Sequence, residues 1–595
     1  MPSRPRRWRP TRPDDAGSWV QLGLLYRADR DRPKAIAAFE TAHEHQPNSA
    51  EPLIELAREK WAAGDPVEAR GSVDAALALQ PKHAGALALA AEWALIAGRP
   101  EEALTLVQRA IDASPKQIGL RLLAARAAAA VPDRAAADHH LSEARSAFGA
   151  VPDVLATEIH ILRSFHDFSA VLGVIAEAGN TLADPALWIE GVSAAIAVGD
   201  FDAAERGLTN GPSASRRDKA SGQFLRGQLA AAQRDYARAT AHYGQALDLD
   251  GANGSWEGER ARSALLALDT DAAEAHLRKS IDLGRSAALS RGESLHTSQH
   301  HIGQLLDDFI LDREVLVQLR QALGQPVDGR VAIIKEIVRA NPDSTAAAIS
   351  LLLEMRRRGE LNYAPKRFAG LMGSRIPRRI VQFWDTEAVP PDVAALMETW
   401  RDRRNAFQHV SFTEGTASTW LAANSTFEVV RAFRRVAHPA QRADIFRLAY
   451  LAKEGGIYAD ADDRRVAPFD ALVPKAATFV GYQEDYGTLG NNFLAAQPDH
   501  PVIQRALGMV VAAINRGDAD SVWLSTGPGL LTRAFAGAVA QPDARAWLDR
   551  AMIRELHEMQ ALVEIHCPAA YKRTGRHWSV AAKQKAKPAR RAKAR

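Results

Sequence analysis

The chain has 595 residues, 47% of them hydrophobic, and a single cysteine, which is long enough for at least two packed domains because one core stops growing near about 250 to 300 residues. Cys567 alone excludes an internal disulfide framework and fits a reducing cytosol, its expected role being a small buried residue. No apolar run reaches the roughly 18 to 20 residues of a membrane span, and the Arg- and Pro-rich start lacks the apolar stretch of a secretory signal, so a cytoplasmic location is expected.

The net charge of +4 belongs to the two ends. Residues 1–12 hold five arginines, and 581–595, "AAKQKAKPARRAKAR", hold seven Lys or Arg with no acid in either segment. Removing those twelve from 75 basic residues leaves 63 against 71 acidic ones, a body near −8. Segments 1–15 and 581–595 are therefore read as basic disordered tails, able to touch anionic membrane at its inner face by charge alone. The carboxy-terminal tail has no aromatic residue to stack on bases, and nucleic acid is not an expected partner.

Repeats come first in chain order. In "SWVQLGLLYRADRDRPKAIAAFETAHEHQP", Trp19, Leu22, Gly23, Tyr26, Ala35, Phe39, Ala42 and Pro47 fit the tetratricopeptide pattern. Steps of 34 residues then give Ala69, Val73, Ala76 and Pro81, and next Ala103, Val107, Ala110 and Pro115. The small alanines let paired helices approach, the larger residue four on fills the neighbouring groove, and proline ends the second helix. The phase returns at Gly227, Ala239, Tyr243 and Ala246, with looser helical segments between and after, so residues 16–360 are expected to form one α solenoid. Such a curved surface holds a partner, here a protein or glycan acceptor. His296, His300 and His301 lack acidic or Cys ligands at metal spacing and are read as solvated or repeat-packing histidines.

From Arg375 the texture changes. "IPRRIVQFWD" reads as a strand, "PPDVAALMETWRDRR" as a helix and "NAFQHVSFT" as a second strand, an order that predicts a mostly parallel sheet. "HPAQRADIFRLAYLAKEGG" is a helix opened by Pro439 and closed by Gly455 and Gly456, and "IYAD" is a short buried strand. Asp460, Asp462 and Asp463 thus stand at the end of a strand, where ligands of open α/β sheets bind.

These blocks, with "NNFLAAQPDHP", "STGPGLL" and "RHWSV", resemble the DXD-containing sugar transferases, which include initiating α-1,6-mannosyltransferases, capsular-polysaccharide transferases and glucosyltransferase domains of large bacterial toxins. The resemblance covers residues 371–580 and implies a GT-A-type α/β domain with retaining, metal-dependent transfer from a UDP- or GDP-sugar to a saccharide, lipid-linked or protein acceptor. It implies that Trp384 stacks on the nucleotide base and that Asp444 and Arg447 reach the donor sugar and phosphate. Asp460 and Asp462 would hold Mn²⁺ or Mg²⁺ and the ribose, while Tyr458, Asn491, Asn492, His577 and Trp578 belong to blocks lining the donor pocket.

The chemistry suits the residues. Carboxylates two apart in an extended segment face the same way, so Asp460 and Asp462 can serve one ion while Asp463 points away. Asp462 is expected near the surface, so that removing it costs little stability. Asp444 and Arg447, one helical turn apart, also fit a plain surface ion pair. The donor motifs all follow residue 375, so a fragment starting near residue 365 is expected to keep the donor site. The chain stops soon after "RHWSV", short of the block that usually closes the family's donor pocket. That shortening supports a second reading, a repeat adaptor whose transferase-like domain binds without turnover.

Overall fold

A computed structural model describes residues 15–573, apart from 132, 166, 179–184, 291–293, 363–374, 402–405, 519–520 and 568. Two compact units emerge, one formed by Met1–Phe165, Gly173–Leu187 and Lys279–His296, the other by His166–Leu172, Trp188–Arg278 and Thr297–Arg595.

In the first unit the 34-residue rhythm is literal: second helices of successive pairs end at His45, Leu79 and Ala113, each two residues before its proline. Ala35, Ala69 and Ala103 are fully buried at the contact between paired helices, with Phe39, Val73 and Val107 beside them. Gly23 shows why this position stays small, since a Cβ there would lie 2.5 Å from the Phe39 ring. Asp31 and Asp65 cap the helices that follow them, accepting from the amides of Lys34 and Glu68. Helices continue through the looser stretch, from Ile118–Ala130 to Pro152–Ser164.

The second unit starts with the same chemistry: Gly227 lies under Tyr243 as Gly23 lies under Phe39. Its helices, including Gly254–Leu266, His301–Leu311 and Thr345–Arg357, are followed by β1 (Arg379–Phe383), β2 (Gln408–Phe412), β3 (Gly456–Ala459), β4 (Arg464–Arg465), β5 (Phe479–Gln483), β6 (Phe493–Ala496), β7 (Ala551–Glu555) and β8 (Val563–Glu564). Among the described residues a six-stranded sheet runs β2-β1-β3-β6-β5-β7, with β4 and β8 paired separately. β1 is parallel to β2 and β3, and β5 to β7, as the β-α-β order predicts. β6 runs antiparallel to both of its neighbours, so the sheet is mixed.

Side chains alternate across it with the period of two that a strand imposes. Val381, Tyr458, Phe479, Leu494 and Ile553 join one apolar cluster, and Ile380, Ile457, Val480, Phe493 and Ala495 join another. The first cluster also takes in Tyr236, Leu265, Leu305, Leu351 and Leu352, so the late repeat helices and the sheet share one core. The helix Thr345–Arg357 is buried at every position from Thr345 to Arg356, as expected of a helix enclosed on all sides. Its Arg356 donates to Gln483 Oε1 at 3.2 Å and to the Ile553 carbonyl at 2.6 Å. A fragment beginning near residue 365 lacks this helix, and with it one wall of the core under the sheet, which removes the ground for expecting such a fragment to keep its site.

Candidate functional site

Gly455 and Gly456 decide where the acidic strand end falls. Both have left-handed φ, +65° and +111°, and a Cβ would meet the Ala496 carbonyl at 2.8 Å in the first and the Arg379 carbonyl at 2.8 Å in the second. Only glycine turns the chain this tightly from helix Pro439–Lys453 into the centre of the sheet. The loop after β3 is then pinned through its backbone. The Asp460 amide donates to the Asn492 carbonyl at 2.8 Å, Gln382 Nε2 donates to the Asp460 carbonyl at 3.2 Å, and Trp400 Nε1 donates to the Asp463 carbonyl at 2.9 Å.

Around this loop opens a cavity of about 680 Å³. Trp384, Asp444, Arg447, Asp460, Asp462 and Asn491, all singled out from sequence, line it together. Arg447 sits at their junction, with Nη2 3.2 Å from Asp444 Oδ1 and 3.0 Å from Asp460 Oδ1. Its Nη1 donates to the Asn491 carbonyl, and the guanidinium lies 4.6 Å from the centre of the Tyr458 ring. The Asp444 and Arg447 side chains are only 6% and 4% exposed, so they form a buried ion pair and not the plain surface pair that their spacing also allowed. Thr526 Oγ1 donates to Asp444 Oδ2 at 2.6 Å and Asn491 Nδ2 to Oδ1 at 2.9 Å, fixing the carboxylate plane.

Burial pushes the Asp444 carboxyl up to about 6, against the pull of Arg447 and these hydrogen bonds. Asp460 is also raised, by burial and by Asp462, with Arg447 opposing. Asp462 goes the other way: burial works against its charge, but Lys572 and His566 outweigh it and hold the carboxyl below its ordinary value. Lys572 Nζ lies 2.5 Å from Asp462 Oδ2, and Tyr571 Oη donates to the same oxygen at 3.0 Å. Asp462 is thus 7% exposed instead of near the surface.

Asp463 points away from the cavity, as its place in an extended segment predicts. It accepts from the His566 amide at 2.8 Å and from Asn492 Nδ2 at 2.7 Å, and burial followed by repulsion from Asp462 and Asp460 raises it well above the usual carboxylate range. Asn492 and Tyr458, expected in the donor pocket, do not line the cavity: Asn492 supports Asp463 and Tyr458 lies beneath Arg447. Trp384 is 8% exposed, packs among Val393, Met397 and Ala461, and meets the Tyr571 ring edge-on at 5.1 Å. It is a core residue that also lines the cavity. His577 and Trp578 lie outside the described residues.

Several residues at the site had no role assigned from sequence. Thr526, which holds Asp444 from behind the lining, stands in the "STGPGLL" block, a signal that could have been used, whereas nothing local marked the lining residues His566 and Tyr571 or Lys572, which pairs with Asp462. His301, read as solvated or repeat-packing, lines the cavity too, its ring 4.7 Å from Tyr486 and 4.6 Å from Trp523, and burial pushes its imidazole down to about 4.

Among the described residues no three His, Cys, Asp or Glu side chains converge as a self-sufficient metal site. The oxygen donors of Asp460 and Asp462 nevertheless fit a hard divalent ion of the kind that keeps one or two carboxylates and completes its shell with a nucleotide's phosphates. Their mutual repulsion in a buried place is what such an ion relieves.

Residues 390–479 match the family model for the glycosyltransferase sugar-binding region containing the DXD motif. The α/β part of this chain carries a DXD glycosyltransferase region. That region is similar to inositol phosphoceramide mannosyltransferase 1 of Schizosaccharomyces pombe, 27% identical over 173 residues, which are 28% of this chain and 54% of the yeast protein. It is also similar to a toxin of Photorhabdus asymbiotica, 31% identical over 131 residues, covering 21% of this chain and 4% of the toxin. The chain therefore spans about half the length of the mannosyltransferase and a small part of the toxin. Among solved structures, a tetratricopeptide repeat protein from Parabacteroides merdae aligns at 14% identity and a TM-score of 0.34, over 41% of this chain and 97% of that one. The PaToxG glycosyltransferase aligns at 19% identity and a TM-score of 0.24, over 39% and 94%. No described helix is long and apolar enough to cross a membrane.

Proposed function

We propose that this chain is a retaining, metal-dependent glycosyltransferase that moves a sugar from a UDP- or GDP-sugar to a saccharide, lipid-linked or protein acceptor recruited by the helical repeats. The observation that carries the reading is the junction at Arg447, where one buried guanidinium holds Asp444 and Asp460 in the cavity that Trp384 and Asp462 also line. A leaving nucleoside diphosphate gains negative charge, and a fixed guanidinium with a forked donor set suits it. Asp460 and Asp462 would hold Mn²⁺ or Mg²⁺, which when bound supplies further positive charge for the diphosphate. Trp384 and Tyr571 offer ring surface for the base. Asp444, held by Arg447, Thr526 and Asn491, is placed to accept from donor-sugar hydroxyls. The division into a solenoid up to about residue 360 and a transferase domain over 371–580, and a cytoplasmic place at the inner membrane face, belong to the same proposal.

Purified full-length protein with Mn²⁺ should hydrolyse one nucleotide sugar from a panel slowly to free sugar, and excess EDTA should abolish both binding and turnover. Equal affinity with and without EDTA rules out the metal. Asp460→Asn and Asp462→Asn should each lose turnover, and substantial remaining activity removes that residue from the site. The anomer released by the transfer reaction, read by NMR, tests retention.

A second reading, an adaptor that binds a nucleotide sugar without turnover, is favoured by Lys572, whose ammonium already pairs with Asp462. Tight nucleotide binding with no hydrolysis of any donor would select it.

A further inference from the structure

The cavity carries a second aromatic group, separate from the one at Trp384. Trp384 and Tyr571 pack with Val393, Met397 and Ala461, whereas Trp523 and Tyr486 belong to the apolar core that the late repeat helices share with the sheet. His301, from the start of helix His301–Leu311, completes this second group by meeting both rings edge-on, at 86° to Tyr486 and 75° to Trp523. Edge-to-face packing of this kind fixes ring orientation.

Beside these rings the segment Glu484–Tyr486 brings two carboxylates to the cavity. The segment is a tight turn, with the Glu484 amide donating to the Thr488 carbonyl at 2.7 Å and Gly487 in left-handed φ of +75° against Leu353. Repeat helix Gly254–Leu266 braces it from outside: Arg262 Nη1 lies 3.3 Å from Asp485 Oδ2, and its guanidinium 6.0 Å from the Tyr486 ring centre. Helices that precede the transferase region thus build and hold one wall of its cavity.

We propose that His301, Tyr486 and Trp523 form a subsite for an uncharged pyranose ring, the acceptor side of the cavity, with Glu484 and Asp485 accepting hydrogen bonds from its hydroxyls. This rests on the donor reading above, because it assigns the remaining wall once Arg447, Asp460 and Asp462 are given to the nucleotide sugar. A pyranose has an apolar C–H face that packs on aromatic rings and a rim of hydroxyls that donate to carboxylates, which only accept when ionised. Glu484, half-buried beside an exposed Asp485 that Arg262 pairs, repels a phosphate or uronate, so the subsite selects neutral rings over anionic ones. The lining guanidinium, Arg447, is given to the donor diphosphate at the other wall.

The test uses full-length protein and saturation-transfer NMR with methyl hexopyranosides and the matching methyl hexuronides, alongside a nucleotide-sugar titration of the same wild-type sample. Wild type should bind at least one neutral pyranoside, and bind its uronate at least tenfold more weakly. His301→Ala should weaken the pyranoside at least tenfold, while His301→Phe, which keeps a ring in place, should retain it within about threefold. Wild type that binds nucleotide sugar but no neutral pyranoside overturns this inference and leaves the donor reading standing. Wild type that binds neither overturns both. Equal pyranoside binding by His301→Ala, loss in His301→Phe as severe as in His301→Ala, or equal affinity for the uronate each overturns the subsite as described.

Discussion

Arg447 satisfies two carboxylates and a carbonyl at once while lying on a tyrosine ring, and it is almost wholly buried. Arg447→Met leaves Asp444 and Asp460 without that partner and is expected to cost about 3 to 5 kcal/mol in urea unfolding, as breaking buried ion pairs does, together with nucleotide binding by titration. Arg447→Lys should rescue neither fully, because a lysine cannot reach both acids with a fork. Asp462→Ala removes the carboxylate that Lys572 pairs with and Tyr571 donates to, and should cost about 1 to 3 kcal/mol in the same assay; a loss well below that range would return Asp462 to the surface role first expected of it. The convergence of Trp384, Asp444, Arg447, Asp460, Asp462 and Asn491 was legible because each sits in a local motif whose spacing survives folding. Asn492 faces away from the cavity for a reason equally local: consecutive residues of an extended segment face opposite ways, so motif membership does not tell front from back, whereas Tyr458, in phase with Asp460, is covered by the Arg447 guanidinium. Tyr571 reaches Asp462 across 109 residues, and no local pattern encodes such a meeting.

At the scale of elements, the helix Thr345–Arg357 matters most to the site's existence. Leu351 and Leu352 are fully buried in the core shared with β1, β3 and β5. Leu351→Ala is expected to cost about 2 to 5 kcal/mol by leaving a cavity there. A chain starting at residue 365 should lack a cooperative melting transition by circular dichroism, and a well-folded fragment would show that the sheet stands without the helix. The strands around the site were readable as apolar runs bounded by turn residues, and helix Pro439–Lys453 by its proline and paired glycines. "AAAISLLLEMRRRGEL" read as one more repeat helix because periodicity reports a helix's own pattern and not what covers it. The reversed direction of β6 was likewise invisible, since a short buried strand looks the same in either direction.

For the whole molecule, two compact units imply more than one unfolding transition in calorimetry, since chains of several domains depart from two-state behaviour. Val73→Ala, in the first unit, should lower one transition and Leu351→Ala, in the second, another; a single peak moved equally by both would contradict the division. His500 should weaken the second unit in acid. Burial depresses His500 to about 3, with its ring stacked on Phe479 at 5.1 Å. A depressed histidine contributes stability that is complete above its unfolded value near 6.5 and is lost as pH falls toward the folded value. By pH 3.5 this linkage amounts to roughly 4 kcal/mol for one such residue. Urea midpoints between pH 7 and 3.5 should therefore fall more steeply in wild type than in His500→Asn, which keeps an acceptor for the Val502 amide that His500 Nδ1 accepts from at 3.4 Å; parallel curves would show that His500 already carries a proton in the fold.

The enclosed helix Thr345–Arg357 also limits how this protein can be rebuilt. A chimera that exchanges repeats to redirect the enzyme cannot place its junction at the last repeat, because every face of that helix is already committed to its neighbours. Pairs such as Ala35 with Phe39 and Ala69 with Val73 are complete within the first unit, so the early repeats are the portion open to replacement. New surface residues should be graftable there, whereas variation after Gly254 is answerable to the shape of the cavity that Asp444, Arg447 and Asp460 line.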